Sequence, residues 1–338
     1  MRFTRIAVIA AGAAALVLAA CGSDDTATEG GGSAPDGSAD DSERAPDGTF
    51  PAVVETKFGE VTIDEQPERV VALGWGDAET ALALGVQPVG ASDWLAFGGE
   101  GVGPWAEGLY DEPPEIIETL EPSYEAVAAL QPDLILDVKS SGDQERYDRL
   151  SSIATTVGVP DGGDSYLTSP EQQVRMISTA LGLAEQGDAL LDEVDAAFEA
   201  AAAEHPEWQG KTVVAAPKTS EGWGAYVEGA QRVVFLERLG FQQSPTIEEL
   251  EPGPEGFSVD ISPERLDLLD ADVVVAFPIY IPTTDITEDR QFQSVPAVAD
   301  GRSVVIDGDL AAAYAIGTTL ATQYAIDGIV PLLADATR

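Results

Sequence analysis

Aromatic and cationic side chains recur in this chain just beyond short apolar runs. Trp75 follows Arg69 to Leu73, Trp94 follows the run that begins at Val89, and Lys139 follows Leu134 to Leu136. Lys218, Trp223 and Tyr226 come after Thr212 to Ala216, Tyr280 comes after Val273 to Phe277, and Tyr314 stands before the last helical segment. Arg290 is the arginine best placed to join them. Flat aromatic walls with a few cationic or hydroxyl donors suit a bulky ligand with a partly apolar exterior. The reagents of covalent chemistry are missing: the 338 residues include one cysteine, Cys21, and one histidine, His205. Thiolate metal sites and multi-histidine zinc or copper sites are thereby excluded, and no G-x-S-x-G elbow is present for a serine hydrolase. His205, in AEHPEW, falls at the end of a helical stretch, where an imidazole suits the C-terminal dipole.

Strands, helices and their order must bring these side chains together. In ERVVALGWGDAETALALGVQPVGASDW the β-branched run reads as a buried strand, Asp77 as the cap of a helix through Leu84, and Gly85 as its C-terminal glycine. Pro88 then keeps the chain from resuming a helix, and a second strand begins at Val89, giving a parallel βαβ start. SYEAVAALQPDLILDV (Ser123 to Val138) repeats that logic, with Ser123 as N-cap. It aligns without gaps on SPERLDLLDADVVVAF: Ser123 meets Ser262, Glu125 meets Glu264 and Asp133 meets Asp272. LGVQ at Leu84 echoes LGFQ at Leu239 in the same way. Such echoes predict two α/β lobes of one design, 51–168 and 206–338. A run of helix formers at 169–205, capped by Ser169 and ended by Pro206, predicts one linking helix with a soft spot at Gly182 to Gly187. A last helix is expected from about Thr318 to Ala336. Ligands of parallel sheets collect beyond the carboxyl ends of the strands, which is where the aromatic and cationic residues fall.

The amino-terminal segment is organised differently. Arg2 and Arg5 precede an apolar run from Ile6 to Ala20, the layout of a secretory signal peptide over 1–20, too short for a comfortable bilayer crossing. Residues 21–50 are mostly Gly, Ser, Asp, Ala and Pro and read as an acidic, flexible tether. The net charge of -43 argues against a nucleic-acid partner.

Leu18-Ala19-Ala20-Cys21 resembles the lipobox of bacterial lipoproteins, which implies cleavage before Cys21 and its acylation. Two or more acyl chains hold a protein on a membrane where one does not. From about Val61 onward the chain resembles the siderophore and cobalamin class (class III, helical-backbone) of ABC-importer substrate-binding lipoproteins, iron–siderophore type. PERVVALGWGDAETALALGVQPVG, YEAVAALQPDLIL, the central helical stretch, VVFLERLGF and LDLLDADVVVAF carry that resemblance. It implies two Rossmann-like α/β lobes joined by one long rigid helix, and a monomer that captures a ferric siderophore in the inter-lobe cleft. Delivery would be to an ABC permease and its ATPase from the outer face of the cytoplasmic membrane of a Gram-positive cell. Neither a cofactor nor a metal ligand is expected from the protein, because a siderophore fills iron's coordination shell itself. The scarcity of arginines near the strand ends favours a hydroxamate or mixed siderophore, since a tris-catecholate would want several. Cobalamin or haem on the same fold is the alternative, and a surface-anchored hydrolase the more distant one. The resemblance also implies a glutamate on each lobe for permease docking, assigned to Glu79 and Glu237.

Overall fold

Short β-branched runs bounded by glycine and proline form the strands, and the helices between the parallel strands return the chain to the same edge. The structure, a computed structural model, describes residues 48–253 and 256–338. Cys21, the leader and residues 21–47 of the tether lie outside the described residues. A hairpin of β1 (Ala52–Thr56) and β2 (Gly59–Ile63) precedes the first sheet. That sheet is built from β3 (Val70–Ala72), α1 (Asp77–Ala83), β4 (Gly90–Ser92), β5 (Glu115–Ile117), α2 (Tyr124–Ala129), β6 (Leu134–Leu136), α3 (Gln144–Ser151) and β7 (Thr155–Val157). All five strands are parallel, in the order β5-β4-β3-β6-β7. The order reverses between β3 and β6, and a crevice opens at such a switch point beyond the carboxyl ends.

Residues 169–205 form two helices, not the single one expected. α4 (Pro170–Ala180) opens with a capping box between Ser169 and Gln172, and α5 runs from Ala184 to Glu204. Gly182 makes the break: its φ of +73° is left-handed, and a Cβ there would meet the Thr49 backbone nitrogen at 2.8 Å. The soft spot in the sequence is thus a corner. α5 alone crosses between the lobes, about 31 Å at 1.5 Å per residue. Leu183 and Leu190 at its start pack on the first core, and Val194, Phe198 and Ala201 further on are buried in the second.

The second sheet comprises β8 (Thr212–Lys218), β9 (Trp223–Tyr226), α6 (Gln231–Arg238), β10 (Gln242–Gln243), the single-turn α7 (Pro245–Glu248), β11 (Ser258–Ile261) and β12 (Val273–Pro278). It continues through the short α8 (Thr284–Thr287) and α9 (Pro296–Ala299), then β13 (Ser303–Val305), α10 (Gly308–Ile316) and α11 (Thr319–Ala336). The strand order is β11-β9-β8-β12-β13, with β10 alongside the start of β8. β9 is antiparallel to both its neighbours, while β8, β12 and β13 are parallel.

The internal echo has a structural counterpart. Asp133, at the entry to β6, accepts the Glu68 and Arg69 amides at 2.8 and 3.0 Å, at the entry to the neighbouring β3. Asp272, at the entry to β12, accepts the Thr212 amide at 2.8 Å, at the entry to β8. Each aspartate therefore pins the register of one parallel strand pair at the centre of its sheet. The match is incomplete: Tyr124–Ala129 is an α-helix capped by Ser123, but Pro263–Leu269 is a 3-10 segment kinked at Arg265. Among the described residues no helix is long and apolar enough to cross a membrane.

Candidate functional site

At the switch point of the first sheet, β3 and β6 continue their pairing into the loops, and the Trp75 amide donates to the Lys139 carbonyl at 2.8 Å. Trp75 stacks on Trp94 with centroids 6.3 Å apart, and Trp94 meets the edge of Tyr166 at 5.1 Å. The Trp94 indole is fixed by donating to the Leu73 carbonyl at 3.0 Å. Tyr166 and its neighbour Ser165 hold left-handed φ values of 65° and 56°, strain that persists where surrounding structure over-determines it. Lys139 is buried beneath this wall, its Nζ 5.4 Å from the Trp75 ring centre. Burial pulls the amine down to about 8, Arg232 adds like-charge repulsion, and Asp77 opposes both.

The second lobe meets this wall directly. Trp75 packs against its core, and Lys139 Nζ donates across the junction to Gln231 Oε1 at 3.3 Å and to the Ile316 carbonyl at 3.5 Å. Arg232, at the start of α6, lies 4.8 Å over the Tyr226 ring and 5.6 Å from the Phe277 ring. Its Nε and the Trp75 indole Nε1 are both buried without a hydrogen-bond partner. A buried donor left unpaired costs about 1–3 kcal/mol, and this junction carries two of them.

The expected site residues therefore separate. Trp75, Trp94 and Lys139 come together at the junction. Tyr226 and Tyr314 face it from within the second core: both rings are buried, and Tyr314 donates to the Arg232 carbonyl at 2.5 Å. Burial pushes the Tyr314 hydroxyl far above its ordinary range. Tyr226 supports Arg232 through its ring and Tyr314 through its hydroxyl, which is thereby occupied. Lys218 and Trp223 form a separate cluster. Lys218 pairs with Asp289 at 2.6 Å, Trp223 donates to the same carboxylate at 3.0 Å, and its ring stacks on Phe292. These hydrogen bonds, after the opposing effect of burial, hold Asp289 down at about 2, so the Lys218 charge is already matched. Tyr280 is 94% exposed with a left-handed φ of 55°, its ring free beside the end of β12. Arg290 is exposed and joins neither cluster.

Glu79 corrects the docking assignment. It is buried on α1, accepting from Gly103 N–H at 3.3 Å, the Trp105 indole at 2.7 Å and the Thr318 hydroxyl at 2.6 Å. Thr318 is the N-cap of α11, so this carboxylate ties the first lobe to the second and cannot face a permease. Burial pushes its pKa up against the pull of those donors. Glu237 is half-buried on α6, also raised by burial and by Glu228 and Glu248. Asp77 is corrected too. The N-cap position belongs to Gly76, whose φ of 84° suits a glycine and where a Cβ would meet the Thr318 methyl at 2.7 Å. The Asp77 carboxylate instead accepts from the Val138 amide at 2.7 Å and from Gln173 at 2.6 Å. His205 caps the end of α5 and stacks on Trp208 at 4.0 Å, remote from the junction residues in chain and contacts.

Arg232, Gln231 and Tyr166 are junction residues that the sequence reading passed over. The strand-end rule does not find the first two, because α6 follows β9, which runs antiparallel to its neighbours. Tyr166 lies in the loop after β7, an edge strand that the reading did not follow.

Residues 70–310 match the family described as periplasmic binding protein. A curated relative, the probable siderophore-binding lipoprotein YfiY of Bacillus subtilis (strain 168), is 29% identical over 223 residues, which are 64% of this chain and 65% of that protein. The chain thus spans slightly under two thirds of that relative's length. Among solved structures, the iron uptake ABC transporter substrate-binding protein PiaA from Streptococcus pneumoniae TIGR4 is 28% identical, with a TM-score of 0.68 over 84% of this chain and 99% of that one. PiaA in complex with ferrichrome gives 28% and 0.70 over 85% and 98%, and a periplasmic solute binding protein from Mycobacterium smegmatis gives 26% and 0.73 over 85% and 99%. With well over half its length matched and both α/β lobes present, the chain belongs to the periplasmic binding protein family.

Proposed function

We propose that this protein is the solute-binding component of an ABC importer, binding a ferric siderophore of hydroxamate or mixed type at the junction between its lobes. The observation that carries the reading is the junction itself: the stacked Trp75 and Trp94, edged by Tyr166, beside two buried donors with no acceptor. Such a surface fits a compact chelate whose outside is apolar and whose iron-bound oxygens seek donors. The similarity to YfiY and to ferrichrome-bound PiaA supports it. The iron stays in the siderophore's own oxygens. Cys21 would carry the lipid that holds the protein on the outer face of the cytoplasmic membrane, and residues 21–47 would give it reach.

Titrating the purified protein with ferric siderophores while following tryptophan emission tests this directly. Quenching is expected at sub-micromolar concentration, about -8 kcal/mol or better, and Trp75→Ala should weaken it. A response to cobalamin or haem with none to any ferric siderophore would reassign the ligand.

Docking to the permease passes from Glu79 to the gapless pair Glu125 and Glu264. Both are exposed, and each lies in the first turn of the helical segment after its strand or loop, on the side where the strands end. Charge reversal of both to lysine is expected to lower ferric-siderophore uptake by cells about tenfold, with solution affinity unchanged. Uptake at the wild-type rate would remove the pair from docking.

A further inference from the structure

Two cations meet at the inter-lobe junction with no anion of their own. This is unusual in a chain with 60 acidic and 17 basic residues. Most other cations among the described residues find carboxylates: Lys218 holds Asp289, Arg146 holds Asp137, Arg175 holds Asp188 and Arg238 holds Asp195. Lys139 does not, although it is only 3% exposed. Its two acceptors, Gln231 Oε1 and the Ile316 carbonyl, are neutral and lie at 3.3 and 3.5 Å. Bonds between an ammonium and a carboxylate are shorter, roughly 2.7–2.9 Å. Arg232 follows Gln231 in the chain, rests on the Tyr226 and Phe277 rings, and keeps a buried Nε with no acceptor. The Trp75 indole Nε1 is a third empty donor at the same junction. Asp77 is the carboxylate that acts on Lys139, and its oxygens are taken by the Val138 amide and Gln173.

We propose that the ligand supplies the missing anion: the preferred ferric siderophore carries a free carboxylate, which bridges Lys139 of the first lobe and Arg232 of the second. The proposal rests on the siderophore reading and narrows it to chelates with a negatively charged arm. A carboxylate offers two oxygens and about four lone-pair positions, enough for the ammonium, the guanidinium and the indole together. Gln231 and Ile316 act as neutral stand-ins that it displaces. An uncharged trihydroxamate fills the aromatic wall but leaves both cations unmatched, and so binds less tightly. The carboxylate also joins the lobes, because its two partners belong to different sheets.

The test compares two chelates on the intact protein: ferric aerobactin, a citrate-centred dihydroxamate whose lysine-derived arms keep free carboxylates, and ferrichrome, a trihydroxamate without one. Affinities are read by tryptophan quenching for the wild type, Lys139→Met and Arg232→Gln. Methionine matches the shape of the buried lysine stem, and circular dichroism with thermal melting checks that each variant is folded. The wild type should bind ferric aerobactin at least about tenfold more tightly than ferrichrome. Each substitution should weaken ferric aerobactin at least about tenfold more than it weakens ferrichrome. Equal or tighter binding of ferrichrome, or equal losses for both chelates, overturns the carboxylate proposal and leaves the siderophore reading standing. Failure of every ferric chelate to quench overturns both.

Discussion

Replacing Asp137 with alanine is expected to cost about 3–5 kcal/mol of folding stability, the largest effect foreseen for a single side chain here. Asp137 follows β6 and grips Arg146 of α3 side-on, Oδ1 to Nη2 at 2.7 Å and Oδ2 to Nε at 3.0 Å. Both side chains are buried, with 6% of Arg146 and 4% of Asp137 exposed. Arg146 also donates to the Thr119 and Leu120 carbonyls, which fixes the loop after β5. Without the carboxylate, a buried guanidinium keeps only those two carbonyls, and its desolvation is no longer offset. A domain is stable by about 5–15 kcal/mol, so about a fifth or more of the total is at stake. Guanidinium-chloride unfolding measures it. The double variant Asp137→Leu/Arg146→Met should recover most of the loss, because the harm lies in the orphaned charge. A loss below about 1 kcal/mol for Asp137→Ala, within the range of exposed pairs, would refute this account.

Stability should also fall as pH rises from 4 to 6 because of Asp77. Burial raises its pKa from 3.8 to about 6, against the pull of Gln173 and the Val138 amide. Between those values the folded chain holds a proton that the unfolded chain has released, so raising the pH favours unfolding. At about 1.4 kcal/mol per pH unit the contribution amounts to about 3 kcal/mol, complete below pH 4 and gone above pH 6. Glu79, raised by burial as well, adds in the same direction. Many other carboxylates titrate in this chain, so the informative quantity is the difference between the wild type and Asp77→Asn. Any pH-independent change in the amide contacts shifts that difference by a constant. The variant should gain on the wild type steadily from pH 4 to 6, and parallel stability profiles would sink the assignment.

The lobes were legible in the sequence because their signals are local. Val-Val-Ala, Leu-Ile-Leu and Val-Val-Val are too apolar and β-branched for anything but buried strands, and Ser123, Ser169 and Thr318 cap helices where their side chains allow. Half of the junction was legible for the same reason, since Trp75, Trp94 and Lys139 are strand-end residues. Long-range partners were not. Asp77 looks like a cap by position, but its carboxylate serves residues 61 and 96 positions away. Glu79 reads as helix surface until Thr318, 239 residues on, claims it. Trp223 and Tyr314 obey the rule that places ligand residues and yet are core, because their rings find Phe292, Phe235 and Phe277. Gly182 bends what helix propensity alone would run straight, since its neighbours Thr49 and Phe50 fill the space a side chain needs.

The passage of α5 from one core into the other decides how the molecule comes apart. Neither lobe owns this helix: removing the first lobe uncovers Leu183 and Leu190, and removing the second uncovers Val194, Phe198 and Ala201. α11 is shared as well, since its cap residue Thr318 and its Tyr324 bind Glu79 and Trp105 of the first lobe. Two sheets joined by a loop would melt as independent units, each at its own temperature. Sheets that share the buried faces of two helices lose them together, and the whole body behaves as one cooperative unit.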